Sequence, residues 1–434
     1  MKYYSTNGKA PIADLHKAVV KGLAEDRGLY MPEKINKLPK EFFDNIEKMS
    51  FQEIAYTVAS AFFGEDVDPD ALHDIVYDTL QFDCPVVNVK DNIYTLELFH
   101  GPTLAFKDVG ARFMARLLQY FIKQENNHKE VNVLVATSGD TGSAVANGFL
   151  GVDGIHVYVL YPKGKVSPIQ ECQFTTLGKN ITAIEVDGVF DDCQALVKNA
   201  FMDAELNEHM KLTSANSINV ARFLPQAFYY FNAYARMKEQ GKADNLVMCV
   251  PSGNFGNICA ALFGHEMGLP IKRFIAANNA NDIFYNYLQT GKYEPKPSKQ
   301  TLANAMDVGD PSNFARIYDL YGKSHAKITS LISGATYSDE QIKATMRECH
   351  KDSGYILDPH GACGYQALKD GLQAGEVGVF CETAHPAKFK EKVDDILGID
   401  VEIPERLAAF MRGEKQSVLM TKNFADFKQY LLKQ

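Results

Sequence analysis

Long apolar runs are missing from these 434 residues: no stretch reaches the ~18 uninterrupted apolar positions that a membrane-spanning helix needs. Dense basic stripes interleaved with aromatic residues are missing too, and the net charge is −9. A chain of that balance lacks the electrostatic footprint of nucleic-acid binding. The eight cysteines, Cys84, Cys172, Cys193, Cys249, Cys259, Cys349, Cys363 and Cys381, form no CxxC pair, which argues against a zinc site or a dithiol redox motif and for thiols in a reducing compartment. His100, His360 and His385 stand in separate segments without ligand spacing, so metal-dependent hydrolysis has little support. No Walker A or G-x-G-x-x-G template occurs, which removes the usual grounds for ATP or NAD. The N-terminal twenty residues carry no apolar h-region. A cytoplasmic protein is the expectation.

What is present is the material of a packed enzyme: 46% hydrophobic and 23% charged residues, in a length beyond that of a single core. Residues 1–95 read as a mainly helical lobe, with helical apolar spacing in "FQEIAYTVASAFFG". Beyond them, short β-rich runs alternate with amphipathic helices: 131–137, 155–162, 181–188, 245–251, 271–277 and 377–383. Such alternation implies crossover connections, a mostly parallel sheet and an α/β fold. A smaller α/β domain over 96–225 and a larger one over 226–434 are expected, with the Gly-, Pro- and Lys-rich 289–300 as an exposed loop.

Two strands run straight into glycine-rich turns that open helices, "VNVLVATSGDTGSAV" and "NLVMCVPSGNFGN". In an open parallel sheet, strand C-termini line the ligand crevice, and a helix N-terminus there offers free amides to an anion. Gly253, Asn254, Phe255, Gly256 and Asn257 suit a phosphate, or form a plain strand-to-helix turn that happens to be glycine-rich. In the first turn Ser138 and Thr141 suit a carboxylate, although Asp140 or Thr141 could equally cap the helix. A third cluster, Asn216, Ser217, Asn219 and Arg222, could grip a second phosphate, or cap a helix beside a surface arginine. Lys107, in "AFKDVG" at an apparent helix start, is a candidate desolvated amine, whereas most lysines are solvated surface charges.

Taken together and in order, "RGLYMP" (27–32), "ELFHGPTLAFKD" (97–108), "ATSGDTGSAV" (136–145), "TSANSINVAR" (213–222), "VPSGNFGN" (250–257), "NAMDVGDPSN" (304–313) and "TAHPAKF" (383–389) resemble the threonine synthase family of pyridoxal-phosphate enzymes. The likeness runs through nearly the whole chain. It implies two open, mostly parallel twisted sheets covered by helices, the tryptophan synthase β-like fold type II, with a helical N-terminal lobe. It also implies pyridoxal 5′-phosphate as cofactor and Lys107 as the Schiff-base lysine. Gly253–Asn257 would cradle the cofactor phosphate, and Asp140 would lie near its 3′-oxygen, where related enzymes often have Asn. Thr383 would meet the pyridine nitrogen with a neutral hydroxyl. Ser138 and Thr141 would take the substrate carboxylate, and Asn216, Ser217 and Arg222 its phosphate. His385 and Lys388 lie in the same motif without an assigned step.

The reaction implied is O-phospho-L-homoserine plus water to L-threonine plus phosphate, on a small-molecule substrate, in a monomer or homodimer. A deaminase or β-replacement enzyme of the same cofactor class is the nearest rival, and it has no need of a substrate-phosphate grip. A silent homologue is the rival from another class; Lys107, both loops and Thr383 are all in place against it.

Overall fold

The computed structural model describes residues 1–127 and 129–434. Compactness groups the chain otherwise than in the linear order 1–95, 96–225 and 226–434. One unit comprises Met1, Met31–Phe106 and Phe223–Glu402; the other comprises Lys2–Tyr30, Lys107–Arg222 and Ile403–Gln434.

The first unit holds a six-stranded sheet in the order Ile332–Thr336, Arg273–Asn278, Leu246–Pro251, Val377–Glu382, Ile93–Glu97, Val86–Lys90. All neighbours are parallel except the last pair, an antiparallel hairpin. Its two turn residues are Asp91, at φ 50°, and Asn92, the residue types that tolerate the backbone such a tight turn requires. All six residues of Leu246–Pro251 are buried, as expected of a central strand with helices on both faces. Helices Lys40–Asn45, Phe51–Phe63 and Pro69–Thr79 belong to this unit. Phe51–Phe63 starts cleanly because Ser50 accepts from the Glu53 N–H. Residues 291–300 have no regular structure and are mostly exposed.

The second unit holds a five-stranded, wholly parallel sheet in the order Val418–Thr421, Ile181–Asp187, Ile155–Pro162, Val131–Ala136, Lys211–Ser214. Val131–Ala136 is buried throughout. The short pair Lys2–Ser5 and Ala13–Asp14 is antiparallel. Strands Lys211–Ser214 and Ile332–Thr336 escape a reading by apolar runs because both are edge strands of small and polar residues whose pairing is set by a neighbour.

Candidate active site

In the second unit, helix Lys107–Gln124 begins at Lys107 itself. The lysine is half-buried, and its Nζ donates to Thr141 Oγ1 at 2.8 Å. One turn on, Gly110 lies against the residue that ends this stretch of the unit: a Cβ there would come within 2.5 Å of the Arg222 carbonyl oxygen. The unit thus brings the amine, the 137–141 turn and the Arg222 segment together.

The 137–141 turn is built around a glycine in a backbone conformation that other residues rarely adopt. Gly139 has φ 151°, and a Cβ on it would meet the Gln170 side chain at 2.7 Å. Thr137, fully buried, accepts through Oγ1 from the Gly139 N–H (2.9 Å) and the Gly142 N–H (2.8 Å). Asp140 opens helix Asp140–Phe149 but does not cap it; its Oδ1 accepts from Gln170 Nε2 at 3.1 Å. Ser138 is exposed, leaving its hydroxyl at the surface of the turn. Neither Thr137 nor Gln170 was singled out by the motif reading. The signal for Gln170 was present in "SPIQ", where Ser167 caps helix Pro168–Thr175 and holds Gln170 in its first turn.

Around residues 213–222 the same unit forms a tight turn ending in helix Val220–Phe223, whose last residue belongs to the other unit. Asn219 is structural: Nδ2 donates to the Val19 and Ser214 carbonyls, and Oδ1 accepts from the Ala221 N–H. Asn216 and Ser217 are half-buried. Arg222 is no surface arginine: it is 2% exposed, and its Nη1 donates to the Ala215 carbonyl beside Asn216 and Ser217.

In the first unit, strand Leu246–Pro251 leads through Ser252–Phe255 into helix Gly256–Glu266. Phe255 takes the left-handed conformation at φ 67°, and no side chain at that position caps the helix. Gly253 has no room for a side chain, since a Cβ would lie 2.7 Å from the Ala305 carbonyl oxygen and 3.1 Å from Met306 Cα. Asn257 folds back, its Nδ2 donating to the Pro251 carbonyl at 2.8 Å and its Oδ1 accepting from the Ile258 N–H. A left-handed residue between glycines, at an uncapped helix start, forms a backbone concavity for an anion.

Strand Val377–Glu382 runs parallel beside Leu246–Pro251, so Thr383 leaves the same end of the sheet as the glycine loop. Thr383 is buried and its carbonyl accepts from the Phe106 N–H at 2.8 Å. Lys107 is the next residue in the chain. His385 caps its own turn, accepting from the Ala387 N–H, and the buried Lys388 donates to the Thr103 carbonyl at 2.9 Å. Among the described residues no group of three or more His, Cys, Asp or Glu is arranged to hold a metal ion.

Family models match three successive segments: "Threonine synthase N terminus" over residues 2–80, "Pyridoxal-phosphate dependent enzyme" over 82–381 and "Threonine synthase, C-terminal" over 361–431. The chain is 44% identical to the threonine synthase of Haemophilus influenzae, with 100% of both chains covered. The chain belongs to the threonine synthase family. Among solved structures, the Escherichia coli threonine synthase superposes with a TM-score of 0.93 at 42% identity, covering 100% of each chain. The pyridoxal-phosphate-bound threonine synthase of Brucella melitensis reaches the same TM-score at 34% identity, over 100% of this chain and 99% of that one.

The residues present fit the family's cofactor. The 253–257 loop offers a phosphate uncapped backbone amides with no Cβ at Gly253, and Lys107 offers a primary amine at a helix start. The chain is thus a pyridoxal-phosphate enzyme of fold type II. No helix among the described residues is long and apolar enough to cross a membrane.

Proposed function

We infer that this chain converts O-phospho-L-homoserine and water to L-threonine and inorganic phosphate, the last step of threonine biosynthesis, as a carbon–oxygen lyase acting on phosphate. The observation that carries this reading is full-length identity to threonine synthases together with the Lys107–Thr141 pair and the 253–257 loop. Pyridoxal phosphate, when bound, supplies the electron sink that makes protons on the substrate's α and β carbons acidic. Lys107 would hold the cofactor, and its free amine would take and return protons at those carbons as general base and acid. Thr141 Oγ1, 2.8 Å from the lysine nitrogen, fixes where that nitrogen points.

The amides of Gly253–Asn257 would hold the cofactor phosphate, the Thr383 hydroxyl would serve the pyridine nitrogen, and Asp140 would serve the 3′-oxygen. Ser138, Thr141 and neighbouring amides hold the substrate carboxylate. Asn216 and Ser217, on the turn braced by Arg222, hold the substrate phosphate together with Arg222. With the substrate so held, phosphate leaves from the γ carbon and water adds at the β carbon. The chain acts on a small molecule as a monomer or homodimer, without nucleic-acid or membrane partners. The compartment we propose is the cytoplasm, where the eight free thiols, seven of them buried, remain reduced.

The test is an absorption spectrum with and without Lys107→Ala, followed by phosphate and threonine release from O-phosphohomoserine. The visible band of the lysine-bound cofactor should vanish in the variant, and the unmutated protein should release both products in equal amounts. A band without phosphate release would turn the assignment toward a deaminase or β-replacement reaction.

A further inference from the structure

Behind the glycine loop lies a buried polar chain that the proposed reaction does not use. Asp358, His360 and Glu382 are 0%, 2% and 0% exposed. His360 Nε2 accepts from the Ala305 N–H at 3.0 Å. A backbone N–H can only donate, so Nε2 carries no proton and the ring is the neutral tautomer with the proton on Nδ1. That Nδ1–H donates to Asp358 Oδ2 at 2.6 Å. The Asp358 carboxylate also accepts from the Gly361 N–H at 2.8 Å. Glu382 stands against this group: a Cβ on Gly361 would come within 2.3 Å of its Oε2, and its Oε1 accepts from the Asp358 N–H at 3.4 Å. Burial and then the adjacent Asp358 charge push the Glu382 carboxyl well above its usual range.

The far end of this chain matters because of what Ala305 touches. The 304–306 turn is the wall behind Gly253. A few residues on, the Asn313 N–H donates to the Asn254 carbonyl at 3.1 Å. The segment 304–313 thus supports the loop at two successive residues. Its attachment at Ala305 is an imidazole whose tautomer is fixed by a buried carboxylate, as in second-layer support of a ligand site. At its other end the network terminates at Glu382, immediately before Thr383.

We propose that His360, oriented by Asp358, is a positioning residue for the cofactor phosphate: it holds the 304–306 turn against Gly253 and so keeps the amides of 254–257 preorganised. This rests on the reading that residues 253–257 cradle that phosphate. Losing the strap lets the wall recede, and the phosphate must then order the loop as it binds.

Asparagine places an amide nitrogen about where Nδ1 stands, and glutamine an oxygen about where Nε2 stands. Cofactor affinity of the apoprotein, titrated by absorbance, should therefore fall about tenfold in His360→Asn, the worth of roughly one hydrogen bond. In His360→Gln it should stay within about threefold, with phosphorus NMR of bound cofactor unchanged only in the glutamine variant. Equal affinity in both variants and the unmutated protein, or equal loss in both, would overturn the proposal. Gly253→Ala separates the two readings. If it weakens cofactor binding while His360→Asn does not, only the His360 role fails; if neither does, the phosphate-loop reading fails with it. Should the asparagine variant not fold, nitrogen NMR of histidine-labelled unmutated protein decides: a neutral ring protonated at Nδ1 is expected for His360, and an imidazolium or Nε2–H ring would sink the idea.

Discussion

At the scale of single residues, the amine we propose as catalytic is defined by its surroundings more than by its own type. Lys107 is one of many lysines, but it is the first residue of a helix and donates to Thr141 Oγ1. Thr141→Val keeps the shape of the side chain and removes the acceptor. We expect the lysine-bound cofactor band to persist while kcat falls by about tenfold or more, since a proton-transferring amine loses its orientation; an unchanged kcat would show that Thr141 serves substrate binding alone. Thr137 and Gln170 show the reverse, residues of ordinary type made indispensable by position. One satisfies two amides of the 137–142 turn, and the other crosses from a neighbouring helix to the Asp140 carboxylate.

At the scale of elements, the strand that leads to Thr383 is pinned at its start to the strand Arg273–Asn278. Glu376, immediately before Val377–Glu382, is buried and bound by Arg273, the first residue of Arg273–Asn278, through Nε (3.0 Å) and Nη2 (2.7 Å). Lys272 adds a contact at 3.0 Å. The Arg273 hydrogen bonds hold the Glu376 carboxyl down to about 2, against the cost of its burial. A carboxylate depressed in the folded state contributes stability that is full above its unfolded pKa and is lost as pH falls from about 4.5 toward 2. Glu376→Gln should lower unfolding free energy at neutral pH by on the order of 3 kcal/mol. In urea titrations the two proteins should converge as the pH nears 2; a gap independent of pH would point to lost packing instead.

At the scale of the whole molecule, each unit is assembled from stretches far apart in the chain. The last thirty or so residues return to the second unit, where Val418–Thr421 adds a parallel edge strand beside Ile181–Asp187. Lys415 bridges Glu185 (2.6 Å) and Glu171 (2.9 Å). Phe427 and Leu431, both fully buried, join the cluster of Leu160, Ile184, Leu196 and Leu206. Phe427→Ala should cost about 3–5 kcal/mol in denaturant unfolding, as large-to-small core changes do. A cost under about 1 kcal/mol would mean that the C-terminal segment is an accessory and not part of the core.

How much was legible in advance follows from the range of the forces involved. The apolar runs of 131–137, 155–162, 181–188 and 245–251 appear as strands within a residue or so, because a centrally buried strand is predominantly apolar. The glycine loop was legible because a position with no room for a Cβ, such as Gly253 against the 305–306 segment, leaves a glycine in the sequence itself, whereas left-handed Phe255 left no such mark. Gln170, His360 and the return of 403–434 were not. Their roles depend on which buried carbonyl, carboxylate or amide stands opposite, or on which sheet edge is open, and partners tens to hundreds of residues away are fixed only when the chain has packed. The sequence by itself determined the alternation of strand and helix, the glycine-rich turns that open helices and the family's chemistry. Only the tertiary structure decided which polar groups brace those turns, because a buried donor must find an acceptor among whatever residues the packing brings within about 3 Å.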